Sequence, residues 1–289
     1  MSWRTVVITK HCKLSYKNGY MVVRGEEVSL IHLSELRMLL VDSTSVVLSS
    51  YLISELMKQK VKIVFCDEKR NPQGEVIPYY DSYKSSQRIH QQIEWDKDLL
   101  IKVWTVIIKT KILKQSDLLK KYGKKEASKL VTYALDLITG DPTSREGHAA
   151  KVYFNALFGL DFNRRVESDI NIALNYGYSL ILSCVNKEIT AAGYLTQLGF
   201  KHNNMYNQFN LSSDLMEPFR IFVDEVVFEH KDETFNFEFK VLLLELLSKE
   251  VRIDGKKQVL TNAISLYVKS VFSAIESNDI KLIKFPEYE

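Results

Sequence analysis

The segment 71-NPQGEVIP-78 divides the chain into two parts whose hydrophobic residues repeat with different periods. Proline and glycine at these positions are typical of a turn or a linker. In the sequence that follows, 85-SSQRIHQQIEWDKDLLIKVWTVII-108, apolar residues recur every three to four positions, which predicts one long amphipathic helix. We therefore expect one domain over residues 1–80 and a second domain over residues 81–289.

Before residue 80, the apolar runs are short and rich in β-branched side chains, as is typical of strands. Asn18 and Gly19 lie between two such runs and form the dipeptide that a type I′ hairpin turn favours. The apolar spacing over Ser50–Lys58 predicts a single short helix. The main predicted strands lie at residues 6–8, 21–23, 39–41 and 61–66.

After residue 80, the helical period dominates, and one strand-like stretch at residues 251–256 contains an Asp-Gly turn signal. The predicted fold class is α+β, with a β-strand-rich N-terminal domain followed by a larger helical domain. Further helices are predicted at residues 126–138, 146–158, 166–190, 214–230, 236–250 and 258–276.

The composition is that of an ordered, soluble protein. Hydrophobic residues make up 46% of the 289 residues, which excludes a disordered chain. No run approaches the roughly 18 apolar residues of a membrane span, and the N-terminal residues lack the apolar run of a signal peptide. The three cysteines form no CxxC pair, which predicts a reduced, cytoplasmic protein without structural zinc.

The charge balance gives little sign of a nucleic-acid partner. The 39 Lys and Arg residues exceed the 36 Asp and Glu residues by only three, whereas nucleic-acid-binding proteins usually carry a concentrated basic face. Short basic segments can contact phosphates, but most such runs form a solvated face. These segments are residues 69–70, 120–125, 164–165 and 256–257.

Glu146 is the first candidate for chemistry, because it stands beside a glycine and two alanines in 145-REGHAA-150. Small neighbours let a substrate or another backbone approach the carboxylate. However, Thr143 and Glu146 also have the spacing of a capping box, in which the glutamate only satisfies a backbone N–H. Motifs for phosphate-binding loops, serine hydrolases and zinc proteases do not occur in the sequence.

A second polar cluster, 201-KHNNMYNQFN-210, precedes 214-DLMEPFR-220. A helix would place Asp214 and Glu217 on one side, with Arg220 in the same row. The alternative is again a helix cap, with Asp214 as the N-cap. Glu146, His202 and Glu217 would together supply two carboxylates and one imidazole. That ligand set suits Mg²⁺ or Mn²⁺ and the cleavage or transfer of phosphodiesters.

At these residues the sequence resembles the CRISPR-associated integrase family, the larger of the two universal spacer-acquisition proteins. The resemblance covers most of the chain, and its details are similar to the type II-A branch. The family segments are residues 145–150, 153–159, 175–178, 201–202 and 214–220, and the branch segments are residues 3–7, 13–16, 31–35, 65–70 and 207–210.

The resemblance implies an N-terminal β-sandwich domain for dimerisation and a helical catalytic domain. It implies that Glu146, His202 and Glu217 bind Mg²⁺ or Mn²⁺, and that Asp214 supports the metal or a second ion. The implied activity is that of a metal-dependent endonuclease and integrase, which joins the 3′-hydroxyl ends of short duplex DNA to the CRISPR repeat by transesterification.

The resemblance also implies partners. They are double-stranded DNA, a second copy of the chain, and a small ferredoxin-like companion protein in a 4:2 complex. Other type II-A adaptation proteins and the RNA-guided effector nuclease are further candidates, and no membrane is implied.

Two alternatives stay open. The chain could be a non-catalytic DNA-binding scaffold whose acids are only helix caps. Tyr176 and Tyr178, which match a family motif, could lie near the active site or could be buried aromatics with bonded hydroxyls.

Overall fold

The computed structural model describes residues 4–78 and 84–288, which belong to two units, Met1–Tyr80 and Asp81–Glu289. Trp3 and the domain boundary expected at residues 80 and 81 lie outside the described residues. Over residues 4–78, the strands are β1 (Arg4–Ile8), β2 (Lys13–Lys17), β3 (Tyr20–Arg24), β4 (Val28–His32), β5 (Leu36–Val41), β6 (Val47–Leu48), β7 (Lys62–Cys66) and β8 (Pro72–Glu75), with helix α1 (Ser50–Lys58) between β6 and β7.

The N-terminal strands form two four-stranded sheets, ordered β1-β5-β7-β8 and β4-β3-β2-β6. The predicted hairpin is confirmed, because Asn18 and Gly19 have φ angles of 48° and 84° and β2 pairs with β3 so that Lys17 faces Tyr20. Both sheets and α1 contribute to one apolar core, which confirms the predicted β-sandwich. Its buried side chains include Ile8, Leu14, Met21, Leu39, Leu52 and Ile63.

The second unit is mainly helical, and its only described sheet is a short hairpin at the predicted Asp-Gly turn. Its helices are α2 (Ser85–Ile93), α3 (Lys97–Lys121), α4 (Ala127–Leu135), α5 (Arg145–Phe158), α6 (Asp169–Ala191), α7 (Asn210–Leu215), α8 (Arg220–Glu229), α9 (Phe237–Glu245) and α10 (Leu260–Glu276), and the hairpin consists of β9 (Glu250–Ile253) and β10 (Lys256–Val259). The predicted α+β class is confirmed.

The single long helix expected from residue 85 onward is wrong, because the chain breaks between α2 and α3. The Asp96 carboxylate accepts a hydrogen bond from the backbone N–H of Asp98 at 3.0 Å, and this bond starts a new helix. At the break, the Trp95 ring lies 5.0 Å from the Tyr194 ring. The apolar spacing of the sequence continues through the break, but capping and aromatic packing end one helix and start another.

The helix expected over residues 214–230 is also interrupted. Helix α7 begins at Asn210, a 3-10 turn covers Glu217–Phe219, and α8 begins at Arg220. Pro218 lies in the 3-10 turn, where it has no N–H to continue the helical hydrogen bonds. The break allows Asp214 and Glu217 to face different partners.

Close packing in the helical unit depends on Gly177 in α6. A Cβ at this position would lie 2.4 Å from Cγ1 of Val223 in α8, so only glycine allows the two helices to approach this closely. Helix α3 packs against α5 and against the 3-10 turn, which brings three distant segments of the chain together. Among the described residues, no helix is both long and apolar enough to cross a membrane.

Candidate active site

Glu146 and Glu217 converge on one lysine, Lys111, in the middle of α3. The Lys111 Nζ donates to Oε1 of Glu146 at 2.8 Å and lies 2.5 Å from Oε2 of Glu217. The Lys111 side chain is 11% exposed, that of Glu217 is 4% exposed and that of Glu146 is 27% exposed. The two carboxylates, 71 positions apart in sequence, therefore share one largely buried cation.

The charges at this site stabilise one another. Burial alone would favour the neutral lysine, but the charges of Glu217 and Glu146 raise the pKa of Lys111. Burial likewise opposes ionisation of Glu217, yet Arg220 and Lys111 lower its pKa to about 2. The Arg220 Nε donates to Oε1 of Glu217 at 2.9 Å. Glu217 is therefore ionised at neutral pH.

His202 is held by Asp214. The Nδ1 atom of His202 lies 2.7 Å from Oδ1 of Asp214. Because an ionised carboxylate only accepts hydrogen bonds, Nδ1 carries the proton and the lone pair of the neutral imidazole is on Nε2. The hydrogen bond that His202 donates to Asp214 raises the pKa of His202, and the charges of the two glutamates act in the same direction. The imidazole is 46% exposed, so Nε2 is available to a ligand.

The Asp214 carboxylate is fully buried in a cradle of backbone N–H groups. Oδ2 accepts from the N–H groups of Phe200 and Lys201 at 2.6 and 3.1 Å, and the His202 N–H lies 3.4 Å from both oxygens. At Gly199, an added Cβ would lie 2.4 Å from the His202 carbonyl oxygen and 2.9 Å from Oδ2 of Asp214. The loop can wrap around the carboxylate only because residue 199 has no side chain.

Neither expected helix cap forms. Helix α5 is capped by Asp141, whose two carboxylate oxygens accept from the N–H groups of Arg145 and Glu146 at 2.7 and 3.0 Å. The capping-box alternative for Glu146 is therefore wrong, since its side chain turns to Lys111. Asp214 lies inside α7 rather than at its N-cap. Both acids are free of a capping role.

These residues fit a divalent cation, although they do not form a ready-made metal site. Across residues 4–78 and 84–288, no three His, Cys, Asp or Glu side chains are grouped as metal ligands. However, Oε2 of Glu217 is buried, and no hydrogen bond of acceptable geometry reaches it from the described residues. A carboxylate pair that already encloses a positive charge, with an oriented imidazole nearby, has the donor chemistry that Mg²⁺ or Mn²⁺ requires.

Tyr178 supports this site through Arg220. The Arg220 guanidinium lies 4.5 Å from the centre of the Tyr178 ring, a cation–π contact. The Tyr178 hydroxyl donates to Oδ1 of Asp224, and the Tyr153 hydroxyl donates to Oδ2 of Asp224 at 2.8 Å. Both alternatives for the tyrosine motif therefore apply to Tyr178, which is buried with a bonded hydroxyl and lies beside a residue that contacts Glu217. Tyr176 is also buried.

Asp224→Asn should change how stability depends on pH. Burial raises the pKa of Asp224 from its ordinary 3.8 to about 6, despite the hydrogen bonds from Tyr178 and Tyr153. Between these pH values the folded protein keeps a proton that the unfolded chain has lost. The stabilising contribution is therefore full below pH 4 and is lost as the pH rises through about 6.

The change in pKa corresponds to roughly 3 kcal/mol of unfolding free energy. The wild-type protein should lose about that much more stability than Asp224→Asn between pH 4 and pH 7, as measured by urea unfolding. The control is Asp232→Asn at an exposed position, and this variant should follow the wild-type curve. A constant difference between Asp224→Asn and wild type across this range would contradict a protonated, buried Asp224.

The basic segments are partly structural. Lys121 pairs with the buried carboxylate of Glu225 at 2.6 Å. The Arg164 guanidinium lies 5.6 Å from the Tyr178 ring and donates to the Asn175 side chain. Lys120 pairs with Asp117 at a largely exposed position. The expectation of a solvated face thus suits Lys120, whereas Arg164 is half-buried against Tyr178.

Sequence reasoning missed three residues that position the site: Lys111, Asp141 and Gly199. Lys111 lies between Ile108 and Ile112, which are both buried. A lysine at such a position on an apolar helix was the sequence signal that could have indicated a buried charge. Gly199 carried no local signal, because the atoms that exclude a Cβ belong to residues 202, 210 and 214.

Comparison with known proteins identifies the family. The profile of the family described as "CRISPR associated protein Cas1" matches residues 5–236. A curated relative, the CRISPR-associated endonuclease Cas1 of Neisseria meningitidis serogroup C (strain 8013), is 28% identical over 294 aligned positions, which cover 99% of this chain and 97% of the relative.

Two solved structures share the fold. A casposase bound to integration product superposes with a TM-score of 0.80 at 20% identity, covering 100% of this chain and 95% of the casposase. A chain of a Cas6-RT-Cas1–Cas2 complex superposes with a TM-score of 0.73 at 16% identity, covering 97% of this chain and 36% of that one. These matches do not separate the type II-A branch from other branches. Because the family profile spans most of the sequence, the chain belongs to the Cas1 family.

Proposed function

We propose that this chain is a metal-dependent DNA endonuclease and integrase, which joins the 3′-hydroxyl ends of short duplex DNA to a CRISPR repeat by transesterification. The observation that carries the proposal is the convergence of Glu146 and Glu217 on one buried positive charge, beside an imidazole oriented by Asp214. The name of the Neisseria relative and the integration product bound by the casposase support the same chemistry.

In the proposed site, Glu146, Glu217 and Nε2 of His202 would hold Mg²⁺ or Mn²⁺. When bound, such an ion neutralises charge on a phosphoryl oxygen and makes a hydroxyl more nucleophilic near neutral pH. Asp214 keeps the His202 imidazole in the tautomer whose Nε2 can bind. Arg220 keeps Glu217 ionised and directed toward the site.

The residue next to Glu146 is a glycine with open space around it. A Cβ at Gly147 would have no neighbour within 4 Å, so the chain itself does not need a small residue there. Gly147 is exposed in the first turn of α5. In the proposed function, a phosphodiester backbone approaches Glu146 over this position.

We extend the proposal to the partners. A second copy of the chain and a small ferredoxin-like companion would hold prespacer and repeat DNA in a 4:2 complex, in the cytoplasm. The likeness of fold to a chain from a Cas1–Cas2 complex supports a companion subunit. In this assembly the N-terminal β-sandwich would serve dimerisation.

A strand-transfer assay tests the function. Purified full-length chain, its companion, a short duplex with 3′-hydroxyl ends and supercoiled repeat-bearing plasmid are mixed with Mn²⁺ or Mg²⁺. We expect covalent joining that EDTA abolishes and excess metal restores. A scaffold would bind the duplex but join nothing with either ion. Strand transfer that continues in EDTA would contradict metal dependence.

Asp214→Asn should weaken Mn²⁺ binding by about 10- to 100-fold, the usual effect of removing a residue that orients a metal-binding histidine. The amide keeps the shape of the carboxylate but loses its negative charge. It therefore binds the His202 N–H and the backbone N–H groups less strongly, and it no longer fixes the His202 tautomer. Isothermal titration calorimetry measures the affinity, with Asn at the exposed Asp161 as control. An unchanged Kd in folded Asp214→Asn would show that Asp214 does not position His202 for a metal.

A further inference from the structure

The Lys111 ammonium lies where a cation shared by Glu146 and Glu217 would have to lie. Its Nζ is 2.8 Å from Oε1 of Glu146 and 2.5 Å from Oε2 of Glu217. The two carboxylate oxygens therefore contact the same nitrogen. A metal ion that is ligated by both oxygens would need the position that the Lys111 nitrogen fills. The ion and the ammonium therefore cannot be there at the same time.

Glu217 pairs with two cations, and each of its two carboxylate oxygens contacts a different one. Glu217 has a second cationic partner, because Arg220 donates to its Oε1 at 2.9 Å. Oε2 of Glu217 is buried, and the Lys111 ammonium lies 2.5 Å from it. Without a cation between them, two close carboxylates would repel each other, and one of them would be buried with part of its charge uncompensated. A positive charge at this position therefore stabilises the metal-free protein.

Lysine has the properties that a replaceable cation needs. Its ammonium is a compact point charge on a flexible four-carbon stem, so it can withdraw while α3 stays in place. Arginine, by contrast, would bind the carboxylates through a planar fork of several N–H groups and would leave less easily. The Lys111 ammonium and a divalent cation bound to the same two carboxylates would also repel each other, because both are positively charged.

We propose that Lys111 is a positioning residue that holds Glu146 and Glu217 together in the metal-free protein and competes with the divalent cation for the place between them. The inference rests on the proposed function, because it assumes that the two glutamates are ligands. It adds that the apparent metal affinity is set partly by displacement of the Lys111 ammonium.

Lys114 provides a matched control on the same helix, one turn further on. It is slightly more buried than Lys111, with 6% of its surface exposed. Its Nζ, however, lies 3.4 Å from the Pro218 carbonyl oxygen and 5.8 Å from the centre of the Phe222 ring, and no contact of Lys114 with Glu146 or Glu217 is formed in the described structure. A change of Lys114 alters a buried lysine without altering the charge between the carboxylates.

Calorimetric titration of the full-length protein with MnCl₂ tests the inference. Lys111→Gln should bind Mn²⁺ about tenfold more tightly than wild type, because no ammonium has to be displaced. The same variant should melt at a lower temperature without metal and gain more thermal stability from Mn²⁺. Lys111→Arg should bind Mn²⁺ about tenfold more weakly, and Lys114→Gln should bind it as wild type does.

Unchanged or weaker Mn²⁺ binding by folded Lys111→Gln would overturn the competition. If Lys111→Gln does not fold, Lys111→Arg decides, since unchanged or tighter binding by that variant would overturn the inference equally. A separate titration of Glu146→Gln distinguishes failure of the proposed function. If wild-type binding does not depend on Glu146, the ligand assignment itself is wrong; if it does, only the role of Lys111 is at stake.

Discussion

Glu146→Gln is expected to abolish strand transfer while the protein stays folded. The amide has the shape of the carboxylate but removes one of the two negative charges that face the shared cation. Electrostatic stabilisation by a metal ion supplies several kcal/mol to phosphoryl transfer, so losing a charged ligand should lower the rate by at least about a hundredfold. The fold should tolerate the change, because Asp141 rather than Glu146 caps α5 and Lys111 keeps its ion pair with Glu217.

The strand-transfer assay measures this loss, with thermal unfolding as the check on folding. Gln at Glu167, an exposed position outside the site, is the matched control and should transfer strands at the wild-type rate. Wild-type activity of Glu146→Gln would remove Glu146 from the ligand set. A large loss of thermal stability would instead indicate that the Lys111 ion pair is mainly structural.

Gly199→Ala should be the most destabilising of the small substitutions considered. The added methyl group would lie 2.4 Å from the His202 carbonyl oxygen, a backbone atom that cannot move without the loop. It would also lie 2.9 Å from Oδ2 of Asp214, so the N–H groups that bind this buried carboxylate would have to shift. Steric strain and weakened buried hydrogen bonds together should cost roughly 3 kcal/mol.

Gly147→Ala is the matched control for Gly199→Ala. The methyl group would meet no atom within 4 Å, and alanine is favoured over glycine in a helix by about 1 kcal/mol. Urea unfolding should therefore show Gly147→Ala slightly more stable than wild type and Gly199→Ala much less stable. Equal stability of the two variants would mean that the loop around Asp214 is not tightly packed.

Much of the fold was predictable because its signals are local. The Asn18-Gly19 turn needs only two residues, and the strands beside it follow from short apolar runs. The two wrong helix predictions came from relying on hydrophobic period alone. Both breaks had sequence signals, an aspartate at residue 96 that caps α3 and a proline at residue 218.

The site was only partly predictable, because its geometry depends on residues far apart in sequence. The acids and His202 could be proposed from residue type, spacing and family resemblance. The local capping pattern at Glu146 gave the wrong alternative, since a tertiary ion pair with Lys111, 35 positions away, competes with it. Nothing near Lys111 or Gly199 in sequence shows which carboxylates they meet.

The position of a bound ion is the decisive test of the proposed metal site. Crystals of the full-length protein grown with Mn²⁺ should give one anomalous difference peak at ligand distance from Glu146, Glu217 and Nε2 of His202, with the Lys111 ammonium moved away from the carboxylates. No peak at saturating Mn²⁺, or a peak elsewhere while Lys111 still bridges the two glutamates, would contradict the proposed metal site.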